Sequence, residues 1–183
     1  MKNMILNAVL HLKPVIQLVF LLSLISACSV SQVQEGATLS KNARWIMLPV
    51  VNLAEAPQAG IRTEAILSTH LRAMGLSSID IYPYQPLKSG LPDLNEQHRY
   101  QRALKQAQKS NYQYAITGSV EEWRYKSGLD GEPAVGLSLK VFEMKTGKVL
   151  WSVSGSRTGW GYESVTGTVN KLLAQLLGSL KIE

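Results

Sequence analysis

Cysteine is nearly missing from this 183-residue chain: Cys28 is the only one, so no disulfide can form within it. Histidine is almost as scarce. His11, His70 and His98 stand far apart, no H-x-x-x-H spacing occurs, and a zinc site of that kind is excluded. Neither a G-x-S-x-G elbow nor a phosphate-cradling glycine loop is present. The one adjacent carboxylate pair, Glu121-Glu122, would point to opposite faces of a regular strand, unless a bulge re-aims one of them. These gaps argue against an enzyme, imply no metal or cofactor, and turn the expectation towards binding, assembly or conduction. There is no Lys/Arg run, so a net charge of +6 reads as a solvated surface rather than a nucleic-acid site. The apolar stretch from Val15 to Ile25, interrupted by Gln17, is about half of the roughly 20 residues that a membrane-spanning helix needs. Internal repeats and low-complexity tracts are also missing.

What the N-terminus does contain is the grammar of a secretion signal. Lys2 and Lys13 give a positive region, Val15-Ile16 and Leu18 to Leu22 an apolar core, and Ser26-Ala27 the small residues before a cut. Residues 1–27 are therefore expected to be a cleaved signal peptide. Ile25-Ser26-Ala27-Cys28 resembles a bacterial lipobox, in which the cysteine receives diacylglycerol and becomes the first residue. The alternative is an ordinary secreted protein with a chance cysteine beside its cleavage site, a liability in an oxidising compartment. Acylation at Cys28 would hold the protein firmly, since each buried methylene contributes about 0.8 kcal/mol, and it would remove the thiol as a nucleophile. Ser29, where an aspartate would suggest the inner membrane, leaves the outer membrane as the expected address, with the body in the periplasm. The mature chain would carry 17 basic and 13 acidic side chains. Its first stretch, "SVSQVQEGATLSKNA", is small and polar, so residues 28–42 are expected to be a tether and residues 43–183 a single folded domain.

Within that domain, "RWIMLPVVNL" reads as a buried strand whose Pro49 implies an edge position or a bulge. Ile61, Ala65, Leu67, Leu71 and Met74 recur at helical spacing, and Gly75 is placed to stop that helix. "SSIDIYPY" is a second strand. Asp93 and Glu96 form a D-x-x-E capping pattern for a second helix running to about Lys109, along which Arg99, Arg102, Lys105 and Lys109 read as a solvated face. "YQYAITGSVEEWRY" alternates through Tyr114, Ile116 and Val120, then changes parity at Trp123 and Tyr125, which predicts a bulge near Glu121-Glu122. "AVGLSLKVFEM", the turn "KTGK" and "VLWSVSGS" predict a hairpin that buries Val135, Leu137, Leu139 and Val141 opposite Val149, Trp151 and Val153. "SVTGTVNKLLAQLLGSL" carries the strongest helical stripe. The order β-α-β-α-β-β-β-α predicts an α/β domain, a mixed sheet covered by helices.

Two connections stand out chemically. "RYKSGLDGEP" places Asp130 and Glu132 in a glycine-rich loop between strands, which is also what a plain Asp-Gly turn requires. "SGSRTGWGYES" places Arg157, Trp160 and Tyr162 between the last strand and the last helix. Aromatic rings beside a cation suit a lipid headgroup layer, or a sugar or protein surface; alternatively, Trp160 plugs the open end of the domain.

The segment "WIMLPVVNLAEAPQAGIRTEAILSTHLRAMGL" resembles the broad group of periplasmic lipoprotein domains that includes CsgG and LpoB. More narrowly, "YAITGSVEEWRYKSGLDGEPAVGLSLKVFEMKTGKVLWSVSGSRTGWGYES" resembles the PelC family of outer-membrane lipoproteins of Pel exopolysaccharide export. That resemblance implies a non-catalytic subunit that assembles into a homo-oligomeric ring under the outer membrane and guides a cationic, amino-sugar-rich polysaccharide to a pore and scaffold protein of the PelB type. It implies Cys28 as the lipid anchor, Asp130 and Glu132 in a polymer-facing loop, and Arg157, Trp160 and Tyr162 in a membrane-facing or oligomer connection. An acidic lumen would need segregated charge, because residues 111–183 hold eight basic and seven acidic side chains. The alternative is an LpoB-like activator of a peptidoglycan synthase, for which the tether is short. A CsgG-like barrel would need spare strands of about ten residues, and none remain.

Overall fold

The computed structural model describes residues 30–34, 36, 38–83, 95–128 and 131–183. Its strands are β1 (Val30–Gln34), β2 (Trp45–Met47), β3 (Val51–Asn52), β4 (Asp80–Ile81), β5 (Tyr114–Tyr125), β6 (Pro133–Glu143) and β7 (Val149–Thr158), and its helices are α1 (Ala59–Ala73), α2 (Glu96–Ala107) and α3 (Val165–Leu177). The sheet order is β1-β7-β6-β5-β2-β4, with β3 continuing β2 along β5. β4, β2 and β5 are parallel, as two strand-helix-strand crossovers require, and β5, β6, β7 and β1 are antiparallel. This is the mixed α/β sheet expected from the sequence. One strand was not expected: residues 30–34, inside the stretch read as a tether, pair with β7, and Leu39 bridges to Ile182.

Pro49 explains the break between β2 and β3. It has no amide hydrogen to donate, so the ladder stops there, and the Thr117 hydroxyl donates to the Pro49 carbonyl instead (2.7 Å). The strand is not an edge, because β4 and β5 flank it; the proline is tolerated at the interruption.

α1 and α3 share one face of the sheet. Leu67 and Leu71 of α1, and Val169, Leu172, Leu173 and Leu176 of α3, pack with Ile116, Leu137, Val141, Trp151 and Val153. The other face carries α2, the one helix there among the described residues, with Ala103 and Ala107 against Ile46, Leu48, Ala115 and Phe142. At roughly 25 cal/mol per Å² of apolar surface, this burial dominates the folding free energy. Gly75, at φ 100°, ends α1 in a conformation that a side chain would strain.

Four local expectations are corrected. The buried stripe of α1 is rotated: Ala65 is exposed and Ile61 half-buried, while Thr63, Glu64 and Ser68 are buried. Their polar atoms are satisfied, Thr63 by the Ala59 carbonyl and Ser68 by the Ala65 carbonyl. Asn95, not Asp93, caps α2, its side chain accepting from the His98 amide (3.0 Å); Asp93 lies outside the described residues. Arg99 is not on a solvated face but buried, 2% exposed, in a bidentate ion pair with Glu64 (2.6 and 2.8 Å). Val149 is exposed, because the register shifts between Val141 and Phe142, so that Val149 pairs with Phe142 and joins the opposite face from Trp151.

Candidate functional site

The two distinctive connections meet at one end of the sheet. β5 leaves it and β6 returns, closed by Lys126 N–H donating to the Glu132 carbonyl (2.7 Å) and by a half-exposed Lys126–Glu132 ion pair (3.5 Å). After β7, the Gly159 amide donates to the Pro133 carbonyl (2.8 Å), tying the second connection to the first. A Cβ at position 159 would sit 2.6 Å from Thr168 Oγ1 and 2.8 Å from Glu163 Oε2 and Pro133 Cγ, so only glycine allows this approach. The chain then turns through Glu163 N–H to the Trp160 carbonyl (2.8 Å), and the Ser164 hydroxyl caps α3 at the Gly167 amide (3.0 Å).

Electrostatics hold this turn in shape. Glu163 Oε1 meets Lys171 Nζ at 2.8 Å, and the lysine's hydrogen bond keeps the Glu163 carboxyl below the usual range, with Arg157 adding attraction. Arg157 pairs with Val135 across the sheet, which directs it to the α3 side, under the turn. The turn therefore presents its rings outward: Trp160 is 67% exposed, Tyr162 is fully exposed, and Tyr125 beside them is 55% exposed. The Val165 amide reaches the Tyr125 hydroxyl at 3.4 Å. Trp160 is therefore no plug.

Glu132, Arg157, Trp160 and Tyr162 thus gather at a single end of the domain. Cys28 and Asp130 lie outside the described residues. The bulge predicted near Glu121-Glu122 is present as a register shift between Val120 and Glu122. It lets both carboxylates share the face away from α3, over Gly136. Glu121 accepts from Ser119 and Ser138 (2.8 and 2.7 Å), and Glu122 from Arg124 Nε (2.7 Å). Each is engaged separately.

The Glu64–Arg99 pair was missed by sequence reasoning. Glu64 Oε1 also accepts from Val50 N–H (2.9 Å), and Glu96 Oε2 accepts from Asn52 N–H (2.5 Å). Two carboxylates and one guanidinium thereby fasten the broken β2–β3 strand to the N-terminal halves of α1 and α2. Burial pushes the Glu96 carboxyl up; the Asn52 bond opposes this, nearby Glu64 adds to it and Arg99 opposes it. The signal for this cluster is a carboxylate inside an apolar helical stripe, which needs a partner.

No helix among the described residues is long and apolar enough to cross a membrane. No family model matches the sequence, nor does any curated protein. Among solved structures, the chain is similar to the PelC dodecamer from Paraburkholderia phytofirmans, with 31% identity and a TM-score of 0.70 over 85% of this chain and 100% of that one. A methionine-substituted form of that dodecamer matches at 29% identity and a TM-score of 0.69, with the same coverage. The LpoB C-terminal domain from Salmonella enterica is more distant, at 18% identity and a TM-score of 0.44 over 67% of this chain and 85% of that one. An end-to-end match to a solved PelC chain at 31% identity, on the strand order and helix placement described above, identifies this chain as a member of the PelC family.

Proposed function

We propose that the protein is a non-catalytic, lipid-anchored subunit of a Pel-type exopolysaccharide export complex. Copies of it assemble into a ring on the periplasmic side of the outer membrane and pass a cationic polysaccharide to a pore of the PelB type. One observation carries the reading: a chain of the PelC family, whose solved relative is a dodecamer, holds exposed Trp160 and Tyr162 beside Arg157 on a braced turn at one end of its sheet.

Exposed tryptophan and tyrosine rings partition into the headgroup layer, with Arg157 bracing the turn beneath them through its attraction to Glu163. Acylated Cys28 would supply the anchor, and the aromatic end would fix the tilt. Glu132 lies at the same end, so in a ring it would rim the mouth nearest the membrane, and Asp130, two positions before it in the sequence, is the second candidate for contact with polymer. Repeated around an axis, one carboxylate per subunit makes a strong local field even though each chain is net positive, provided the basic side chains face elsewhere, and hydrated, long-range attraction lets a polycation slide on.

The native mass of the lipidated protein in mild detergent tests the assembly. A discrete closed oligomer is expected, and a strict monomer at all concentrations would overturn the ring and favour an LpoB-like activator. Asp130→Asn should impair polymer secretion while leaving the oligomer intact; normal secretion would remove the carboxylate from the mechanism.

A further inference from the structure

Among the described residues, the sheet face that carries α2 is only part-covered, and beside the helix it forms a groove of about 700 Å³, within the range of ligand sites. Its floor is made of polar residues in cross-strand rows, Thr117, Lys140 and Ser152 in one and Ser119, Ser138 and Ser154 in the next, the Thr117 hydroxyl being committed to the Pro49 carbonyl. Gln97 and Tyr100 of α2 form a wall. The bulge brings Glu121 over this floor, and Ser119 and Ser138 both donate to its Oε1. Oε2 has no partner among the described residues. The carboxylate is thus aimed and partly satisfied, with one oxygen left over.

We propose that this groove binds a saccharide segment carrying amino groups. An ammonium group would meet Glu121 Oε2, hydroxyl and acetamido oxygens would meet Lys140 and Gln97, and a sugar face would lie along the Tyr100 ring. The assignment rests on the export reading for the identity of the polymer, and its location is independent of the membrane-facing end. A second copy of the chain fits less well, since the centre of a stable protein interface is apolar and depleted of charge, whereas this floor is serine, threonine and lysine. Charge complementarity selects the amino sugar over a neutral glycan, because the carboxylate is the group that the fold positions.

Calorimetric titration of the full lipidated protein in detergent, with a glucosamine tetrasaccharide as probe and maltotetraose as control, tests this. The amino sugar should bind more tightly than the control. Glu121→Gln should weaken it about tenfold, the scale of one charge-assisted hydrogen bond, with no change for maltotetraose. Ser154→Trp, which fills the groove from an outward-facing position, should abolish binding of the amino sugar. Hydrogen exchange should slow across residues 117–121 and 152–154 when the probe binds. Binding that survives both substitutions places the saccharide elsewhere and overturns the groove, while leaving the export reading untouched. Loss of the native oligomer in Ser154→Trp would show that a second copy occupies the groove, and would also overturn the assignment. Equal affinity for the two probes would refute the role of Glu121.

Discussion

Replacing Arg99 by methionine should be among the most destabilising single changes in the protein. The guanidinium is 2% exposed, and its Nη1 and Nη2 bond the two oxygens of Glu64 at 2.6 and 2.8 Å. Methionine fills comparable space, so the loss is electrostatic: Glu64 stays buried with the Val50 amide as its remaining donor among those described. Removing one partner of a buried pair costs about 3–5 kcal/mol. At about 2–4 °C per kcal/mol for a domain of this size, Tm should fall by roughly 6–20 °C. Urea unfolding followed by tryptophan fluorescence can measure this, since Trp45, Trp123 and Trp151 are all buried. The double change Glu64→Leu, Arg99→Met should recover much of the loss. It leaves Val50 N–H without its acceptor, a residual cost of about 1–3 kcal/mol. If Arg99→Met alone lies within about 1 kcal/mol of the parent, the pair is solvated and the account of the β2–β3 fastening is wrong.

Gly159→Ala should destabilise by about 1–3 kcal/mol, the cost of forcing a methyl into a filled site, seen as a lower urea midpoint with an unchanged slope; a neutral result would mean that the turn does not approach Pro133 as described. Acid titration should separate two carboxylates. Glu163 is held below its ordinary value in the folded state, so its contribution is present above about pH 4.5 and lost as pH falls through the folded value; Glu163→Gln should remove that acid loss. Glu96 is raised, so its contribution is full below about pH 4.5 and lost as pH rises through the folded value; Glu96→Gln should flatten the gain on mild acidification, and an unaltered pH profile would contradict the burial argument. Trp160→Ala with Tyr162→Ala should leave stability within about 0.5 kcal/mol but weaken association with anionic vesicles; a large loss of stability instead would mean that the rings pack against the domain.

Much of the fold is legible because local pattern and final burial coincide. In β6, Val135, Leu137, Leu139 and Val141 alternate in the sequence and all face the core. The parity change at Trp123 reveals the bulge because a strand has no other way to keep Val120 and Trp123 on one face. The leucine stripe of α3 reads as written. The reading fails where a residue's environment is set from far along the chain. Arg99 and Glu64 are 35 positions apart, on different helices, and the spacing of Arg99, Arg102, Lys105 and Lys109 is just what a solvated face would show. Val149 fails for the same kind of reason: its side is decided by a register shift that its own neighbours do not encode.

The candidate site divides along the same line. Trp160 and Tyr162 were visible as unusual chemistry, but their exposure follows from a glycine at 159 that lets Pro133 and Thr168 close in beneath the turn. Glu121 reads in the sequence as half of an adjacent pair that only a bulge could re-aim. The bulge turns it towards Ser119 and Ser138, outward-facing serines to which the sequence pattern assigns no role. An alternating strand announces its buried face through leucine and valine, because burial demands apolar groups. Its outer face carries no comparable demand, so serines there are equally compatible with bulk water and with a ligand. What separates the two is a third dimension, α2 standing beside the serine rows and making a groove of them, and that neighbour is held in part by the distant Glu64–Arg99 bond. The feature hardest to read in the sequence thus also positions the wall of the proposed saccharide groove. Arg99→Met should therefore weaken amino-sugar binding under conditions where the chain is still folded.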